Sequence, residues 1–418
     1  MWCCRTKGGC LLLASNAENR AVPNMQAGRK RKSLNFRFVL SEIDKTFFLI
    51  VVILLVFGLI MVFSASYAAA ESEHGNPYHF VQRQLMCAAL GLVAMFVASY
   101  LDYNFFFNTK IAYLFFIGSY VLCVITSFFG QETAGARRWF TIFGVQFQPS
   151  ELLKIAFIVI FGYILSVNFQ KFKNSWHHSI LPFVIIFIMV FGVLILQRHM
   201  SAVMLFGIIG VSMMFVSDIP PKYFWRFIGV CAVAAIIGVL VLVIAGGGNF
   251  SYITDRIESW KDPMSDPSNT THQTYESMLA IGSGGWFGLG FGESRQKYLY
   301  LPESQNDFIF AIICEELGFV GGVVVVLLFL TFIIKGLQIA ANARDRFGMM
   351  LATGITVQIG SQALLNIMVA SNAFPNTGIS LPFFSAGGTA LVFQLFEVGI
   401  LMSVSRQTLK NKSAVSQT

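Results

Sequence analysis

The chain has 418 residues, of which 56% are hydrophobic and only 12% charged. A soluble domain carries about 25% charged residues, so this composition cannot cover a water-exposed surface. It excludes a soluble nucleic-acid binder, a disordered chain and a disulfide scaffold, and it leaves an all-α polytopic membrane protein whose net charge of +8 speaks first to topology.

In chain order, residues 1–45 come first. They are polar and basic, densest at Arg29-Lys30-Arg31-Lys32, and read as a disordered cytoplasmic tail held near anionic headgroups of the membrane lipids. Leu11-Leu12-Leu13-Ala14 is too short for the apolar stretch of about 7–15 residues in a signal peptide. No aromatics interleave with the basic run, so no nucleic-acid partner is expected. Ten apolar runs follow, near 46–66, 84–101, 111–129, 150–167, 179–196, 200–217, 223–245, 308–334, 347–370 and 383–404; each approaches the roughly 20 residues a spanning helix needs. The ten-helix domain is placed at 46–405 and a second cytoplasmic tail at 406–418. With both termini inside, 20 Lys and Arg fall on the cytoplasmic side and eight on the outer side, the asymmetry that orients such proteins in the plasma membrane. The seven cysteines contain no C-x-x-C pair and the six histidines no H-x-x-x-H spacing, so no metal site is read from them.

One connection is long, residues 246–306 between the seventh and eighth runs, on the expected outer face. Ten of the 21 acidic residues lie between Asp255 and Glu316, and long loops on rigid scaffolds often carry function. Gly282, Gly284, Gly285, Gly288, Gly290 and Gly292 crowd one stretch of it. They fit no G-x-G-x-x-G fingerprint, but their backbone amides could approach a phosphate; a loop dipping into the interface is the equal alternative. Asp307 then stands at the entry of the eighth run, where it reads either as a helix cap or as part of a charged site with Arg256, Lys297 and Glu303. Glu315 and Glu316 must face protein or water.

A second outer cluster is Ala136-Arg137-Arg138-Trp139 followed by Gln148-Pro149-Ser150-Glu151 and Lys154. Proline suits a first helical turn, and Glu151 and Lys154, three apart, can pair on one face. That pair reads equally as a packing device and as a substrate contact. A third cluster runs from Pro375 to Thr389, where two prolines and several glycines break the entry to the last run; such backbone is tolerated only where protein buries it or a cavity solvates it.

These clusters resemble the SEDS family (shape, elongation, division and sporulation), which comprises the FtsW, RodA and SpoVE proteins. The resemblance rests on Arg83-Gln84; Ala136 to Trp139; Phe147-Gln148-Pro149-Ser150-Glu151; Pro302-Glu303 to Asp307-Phe308-Ile309-Phe310 with Glu315-Glu316-Leu317-Gly318; and Gly378-Ile379-Ser380-Leu381-Pro382 with Gly387-Gly388. It covers about residues 45–408. Gly290 to Lys297 looks more like the FtsW and SpoVE branch. Gln197-Arg198-His199 departs from the family's Gln-Pro-Asp, so an acidic role there is not carried over; Asn306 and Ala386 stand where the family often has Thr and Tyr.

The resemblance implies a glycosyltransferase that polymerises lipid II in septal or sporulation wall synthesis, with inversion at the donor anomeric carbon and undecaprenyl diphosphate leaving. It implies Asp307 as the catalytic base and, on the same face, a substrate-binding set of Arg138, Glu151, Lys154, Arg256, Lys297, Glu303 and Ser385. The implied partners are a class B penicillin-binding transpeptidase and other division proteins. No cofactor is assigned, with room left for a divalent cation, Mg or Mn, at the diphosphate. A lipid II flippase and a non-catalytic division scaffold are the competing readings.

Overall fold

The computed structural model describes residues 44–133, 136–142, 145–167, 180–197, 199–217, 219–245, 251–267, 269, 271–298 and 300–415. The N-terminal basic tail lies outside the described residues. Among the described residues, ten apolar helices occupy the ten expected places: α1 (Lys45–His74), α2 (His79–Tyr100), α3 (Thr109–Phe129), α4 (Pro149–Val167), α5 (Leu181–Leu196), α6 (Met200–Val216), α7 (Pro221–Ala245), α10 (Ile309–Ala341), α11 (Arg346–Ala370) and α12 (Thr389–Val415), with the shorter α8 (Ser251–Lys261) and α9 (His272–Ser283) inside the long connection. Among the described residues seven are long and apolar enough to cross a membrane; α5 and α6 are shorter apolar helices. At about 1.5 Å per residue those two reach about 24–26 Å, short of a hydrocarbon core of about 30 Å.

Burial sorts the helices into layers. In α4, α11 and α12 the apolar windows are 72–78% buried, whereas α1, α2, α3 and α10 bury 39% or less and turn the rest outward. Helix α12 packs most extensively on α2, and α11 lies against α10, α4 and α6. Helix α12 continues into the expected tail at 406–418 as far as Val415, and the buried Arg406 donates to the Tyr100 carbonyl at 2.9 Å.

Two local features were not expected. Between α3 and α4 the chain forms a small antiparallel sheet of β1 (Gln131–Thr133), β2 (Ala136–Ile142) and β3 (Val145–Phe147), in that order, pairing Glu132 with Arg137 and Phe140 with Phe147. Strand alternation turns Arg137 outward to an exposed ion pair with Glu132 at 3.2 Å, and Arg138 inward. The second feature is a break in α10. Gly318 sits at φ 68° and ψ −167°, a region open essentially to glycine alone, and a side chain there would lie 2.3 Å from the Gly288 amide nitrogen. The break leaves carbonyls and amides unpaired on α10, and the glycine-rich loop supplies their partners. Leu289 and Gly290 donate to the carbonyls of Glu315 and Glu316 at 2.9 and 3.1 Å, while Phe319 and Val320 donate to those of Gly285 and Trp286 at 2.8 and 3.2 Å. The glycines therefore serve close backbone docking, and these amides are spent on protein rather than offered to a phosphate.

The last run begins later than its hydropathy predicts. Helix α12 starts at Thr389, and residues 371–388 form an irregular segment whose backbone is satisfied by buried amide side chains, as the absence of water requires. Asn366 donates to the carbonyls of Asp307 and Ile379, both at 2.7 Å; Gln84 donates to the Ser385 carbonyl at 2.9 Å and accepts from Gly388; Gln394 accepts from Phe383 at 3.0 Å.

Candidate functional site

The irregular segment, the loop before α10, β2, β3 and the starts of α4 and α6 enclose a cavity of about 310 Å³. Four of the residues expected at a substrate site, Arg138, Glu151, Lys154 and Glu303, line it together with Asp307.

Pro149 opens α4 as expected and sets Glu151 and Lys154 one turn apart on its inward face. Their charged atoms are 2.9 Å apart, with side chains 11% and 4% exposed, and Lys154 Nζ also donates to Gln362 Oε1 at 3.1 Å. Gln362 in turn donates to the Ser380 carbonyl at 3.0 Å, so the pair is braced through α11 to the irregular segment. Arg138 reaches the cavity from β2 and donates through Nε to the Gln197 carbonyl at 3.3 Å.

Asp307 lies one residue before the cap position of α10, and no side chain caps that helix. The capping role open in the sequence is thus set aside. Its backbone is fixed, because the carbonyl accepts from Asn366, while Gly378 leaves 3.2 Å between an added Cβ and Asp307 Oδ2. Among the described residues no hydrogen bond reaches its carboxylate. Burial pushes the carboxyl up to about 6, Glu303 adds to the rise, and Arg256 and Arg138 oppose it. Glu303 is held close by a left-handed turn (φ 56°) and accepts from Asn306 Nδ2 at 2.7 Å.

Three expected substrate contacts fall elsewhere. Lys297 is 2% exposed and pairs with Glu316 at 2.9 Å; it also donates to the Gly292 carbonyl, and Ser64 completes the group by donating to both Glu316 oxygens at 2.6 and 2.7 Å. This is a correction: its charge fastens the long connection to α1 and α10 and does not reach the cavity. Glu315 plays a matching part by accepting from Ser294 Oγ and the Arg295 amide. Ser385 does not line the cavity either; its single hydroxyl proton is shared between the Asn306 and Leu381 carbonyls, each 2.9 Å away, bracing the loop that carries Asp307. Arg256 on α8 is off the lining and bonds the Asn376 carbonyl, although its charge is felt at Asp307.

The lining also holds residues outside the expected set: Arg83 from α2, and His199, Ser201 and Gln362. Deeper in α12, the fully buried Glu397 accepts from Gln358 Nε2 at 2.8 and 2.9 Å. Arg83 was already quoted in the Arg83-Gln84 motif but was not carried into the expected site; nothing local in the sequence marks Glu397. Among the described residues no group of three His, Cys, Asp or Glu is placed to hold a metal ion.

With this geometry in hand, comparison with known proteins is direct. Residues 44–410 match the cell cycle protein family of FtsW, RodA and SpoVE. A probable peptidoglycan glycosyltransferase FtsW of Geobacter metallireducens is 35% identical over 380 residues, 89% of this chain and 98% of that protein. The stage V sporulation protein E of Bacillus subtilis is 36% identical over 364 residues, 87% of this chain and 97% of that one. Among solved structures, a chain from a peptidoglycan synthase complex that coordinates polymerization and crosslinking is similar at TM-score 0.68 and 25% identity, over 88% of this chain and 98% of its own. The rod shape determining protein RodA of Thermus thermophilus shares the fold at TM-score 0.62 and 24% identity, over 87% and 97%. The chain belongs to the FtsW/RodA/SpoVE family.

Proposed function

We propose, from membership of that family and from the cavity, that this multi-pass membrane protein is a glycosyltransferase polymerising lipid II into glycan strands for septal or sporulation wall synthesis. The observation that carries the reading is the Asp307 carboxylate, without a hydrogen bond among the described residues, facing a chamber whose other walls bring Arg83, Arg138 and Lys154. The sugar 4-hydroxyl that attacks is a poor nucleophile and needs a base placed against its proton. A carboxyl raised to about 6 is still mostly ionised at neutral pH and is more basic than an ordinary aspartate. The leaving diphosphate gains negative charge as the glycosidic bond breaks, and fixed cations in a poorly solvated chamber stabilise that charge. One base suffices for direct inversion at the anomeric carbon, with no covalent intermediate.

Two of these cations are themselves held. Glu151 sets the Lys154 ammonium, and the Gln197 carbonyl sets the Arg138 guanidinium, so both are oriented before substrate arrives. Glu303 and Asp307, the lining carboxylates outside the Glu151–Lys154 pair, would hold a divalent cation accompanying the diphosphate, and the protein's own cations carry the charge stabilisation in this reading. The similarity to a chain of a synthase complex supports a transpeptidase partner that crosslinks the strands. The charge asymmetry supports a cavity on the outer face with both termini inside; an impermeant thiol reagent applied to whole cells should then label a cysteine placed at Lys261 and spare one placed at Lys410, and the reverse pattern would invert the orientation.

The reading is tested by incubating the purified chain, with its transpeptidase, with labelled lipid II in detergent. An enzyme yields a ladder of glycan strands there. A flippase has no bilayer to work across, so unchanged lipid II in detergent combined with translocation in vesicles would overturn the reading.

A further inference from the structure

The polar lining contains one titratable group that the proposed chemistry leaves unused. His199 stands at the entry of α6, is 9% exposed and lines the cavity. Its Nδ1 is buried, and among the described residues nothing bonds to it. A buried ring nitrogen without a partner normally costs free energy, so the position makes sense where a ligand supplies the partner. The charges around it are mixed: Arg83 from α2, Arg138 from β2, Glu151 and Lys154 from α4, and Glu303 and Asp307 from the loop before α10 all line the same chamber. Helix α11 brings only the neutral Gln362 to it, and Glu397 of α12 is not among the lining residues.

From this geometry we infer that His199 is a ligand of the substrate diphosphate and that it takes up one proton from solvent when the diphosphate binds. The inference rests on the glycosyltransferase reading for the identity of the anion. In the empty chamber, burial and the charges of Arg138 and Lys154 hold the imidazole down to about 3, so at neutral pH it is uncharged. A diphosphate seated among the same cations cancels their field at the ring and adds negative charge beside it. Both changes favour the imidazolium, which then donates to a phosphate oxygen. The balance is simple: one proton leaves water, one N–H forms on the ring, and no covalent bond of the substrate changes. Because the bound state holds the extra proton, affinity strengthens as pH falls and weakens as pH rises, by up to about tenfold per pH unit. The neutral histidine in the empty site also limits the repulsion that a third buried cation beside Arg138 and Lys154 would create.

The test measures proton uptake directly, by titration calorimetry at pH 7 in two buffers of different ionisation enthalpy. The probe is a short-chain lipid II, whose diphosphate is esterified at both ends and does not itself titrate near neutrality. The full chain carries Asp307→Asn, which slows turnover and removes the titrating carboxyl that faces the chamber. Measurable uptake of at most one proton per site is expected, falling to near zero when His199→Gln is added, together with loss of the affinity change between pH 6 and 8. Uptake that is equal with and without His199, absence of uptake, or absence of binding would each overturn the inference. A chain labelled with ¹⁵N-histidine and unaltered at position 199 gives a second readout, since one imidazole must convert from neutral to cationic on binding. Polymerisation by the wild-type chain in detergent is scored separately, so a glycosyltransferase that binds without His199-linked uptake leaves the proposed function standing while this inference falls.

Discussion

Asp307→Asn is expected to lower glycan polymerisation by about 10²–10⁴-fold, the usual loss when a positioned base is removed, while leaving expression and thermal stability close to wild type. The stability half of that expectation follows from the geometry. The carboxylate neither caps α10 nor accepts a hydrogen bond among the described residues, and the bonds that place this residue run through its backbone carbonyl to Asn366. Asparagine keeps shape and volume and loses only the capacity to take a proton. A variant that melted many degrees lower would mean that the carboxylate carries structure, and near-normal turnover would remove it as the base. Rate and melting temperature on the same preparation separate these outcomes.

Lys297→Met has the opposite signature. The Lys297–Glu316 pair is almost completely enclosed, and removal of one partner from such a pair costs about 3–5 kcal/mol, because the remaining charge is left uncompensated. Loss of folded protein, or a much lower melting temperature, is expected for the single variant. The double variant Lys297→Met with Glu316→Gln should recover much of the stability, since a neutral amide can still bond Ser64. It should also polymerise lipid II, because the pair lies outside the cavity. An inactive but well-folded double variant would return Lys297 to the substrate site. Fluorescence-detected melting in detergent and the polymerisation assay give both answers.

The contrast between these two residues shows what a linear sequence carries. Composition and length fix the helices, because the bilayer demands long apolar runs, and each expected run carries a helix among the described residues, the last of them starting six residues late at Thr389. Asp307, Glu151 and Lys154 stand at the start of apolar runs and Arg138 in the connection before one; the resemblance ties these stretches together, and the structure brings all four to one cavity. Lys297 and Ser385 were misplaced for a shared reason: nearness in sequence to Glu303 or Gly387 says nothing about which way a side chain turns in an irregular segment. Lys297 turns to α1 and α10, where Ser64 and Glu316, distant from it or deep in a run, wait for it.

The break at Gly318 escaped for another reason. Its hydropathy is continuous with the rest of α10, and only the pairing of that glycine with Gly288 in space reveals why both lack side chains. The small sheet between α3 and α4 is too short and too rich in turns to rise above a loop in the sequence, yet its alternation decides that Arg138, not Arg137, enters the chamber. His199 is the clearest case. Read linearly it is a departure from a family motif in a polar reversal between two helices, while in the fold it stands among the lining residues beside two cations.

The central claim is that the Asp307 carboxylate, in its ionised form, is the base for glycosyl transfer. The most direct test is the pH dependence of kcat/KM for lipid II polymerisation, which reports groups of the free enzyme. A carboxyl pushed up to about 6 must lose its proton before it can accept one, so the account predicts a rise with unit slope below pH 6, a midpoint near 6 and a plateau above 7. The profile is taken in the His199→Gln chain, because proton uptake by His199 on binding would itself lower kcat/KM as pH rises and mask the plateau. A profile that stays flat from pH 5 to 8, in a protein that remains folded across that range, would contradict the assignment.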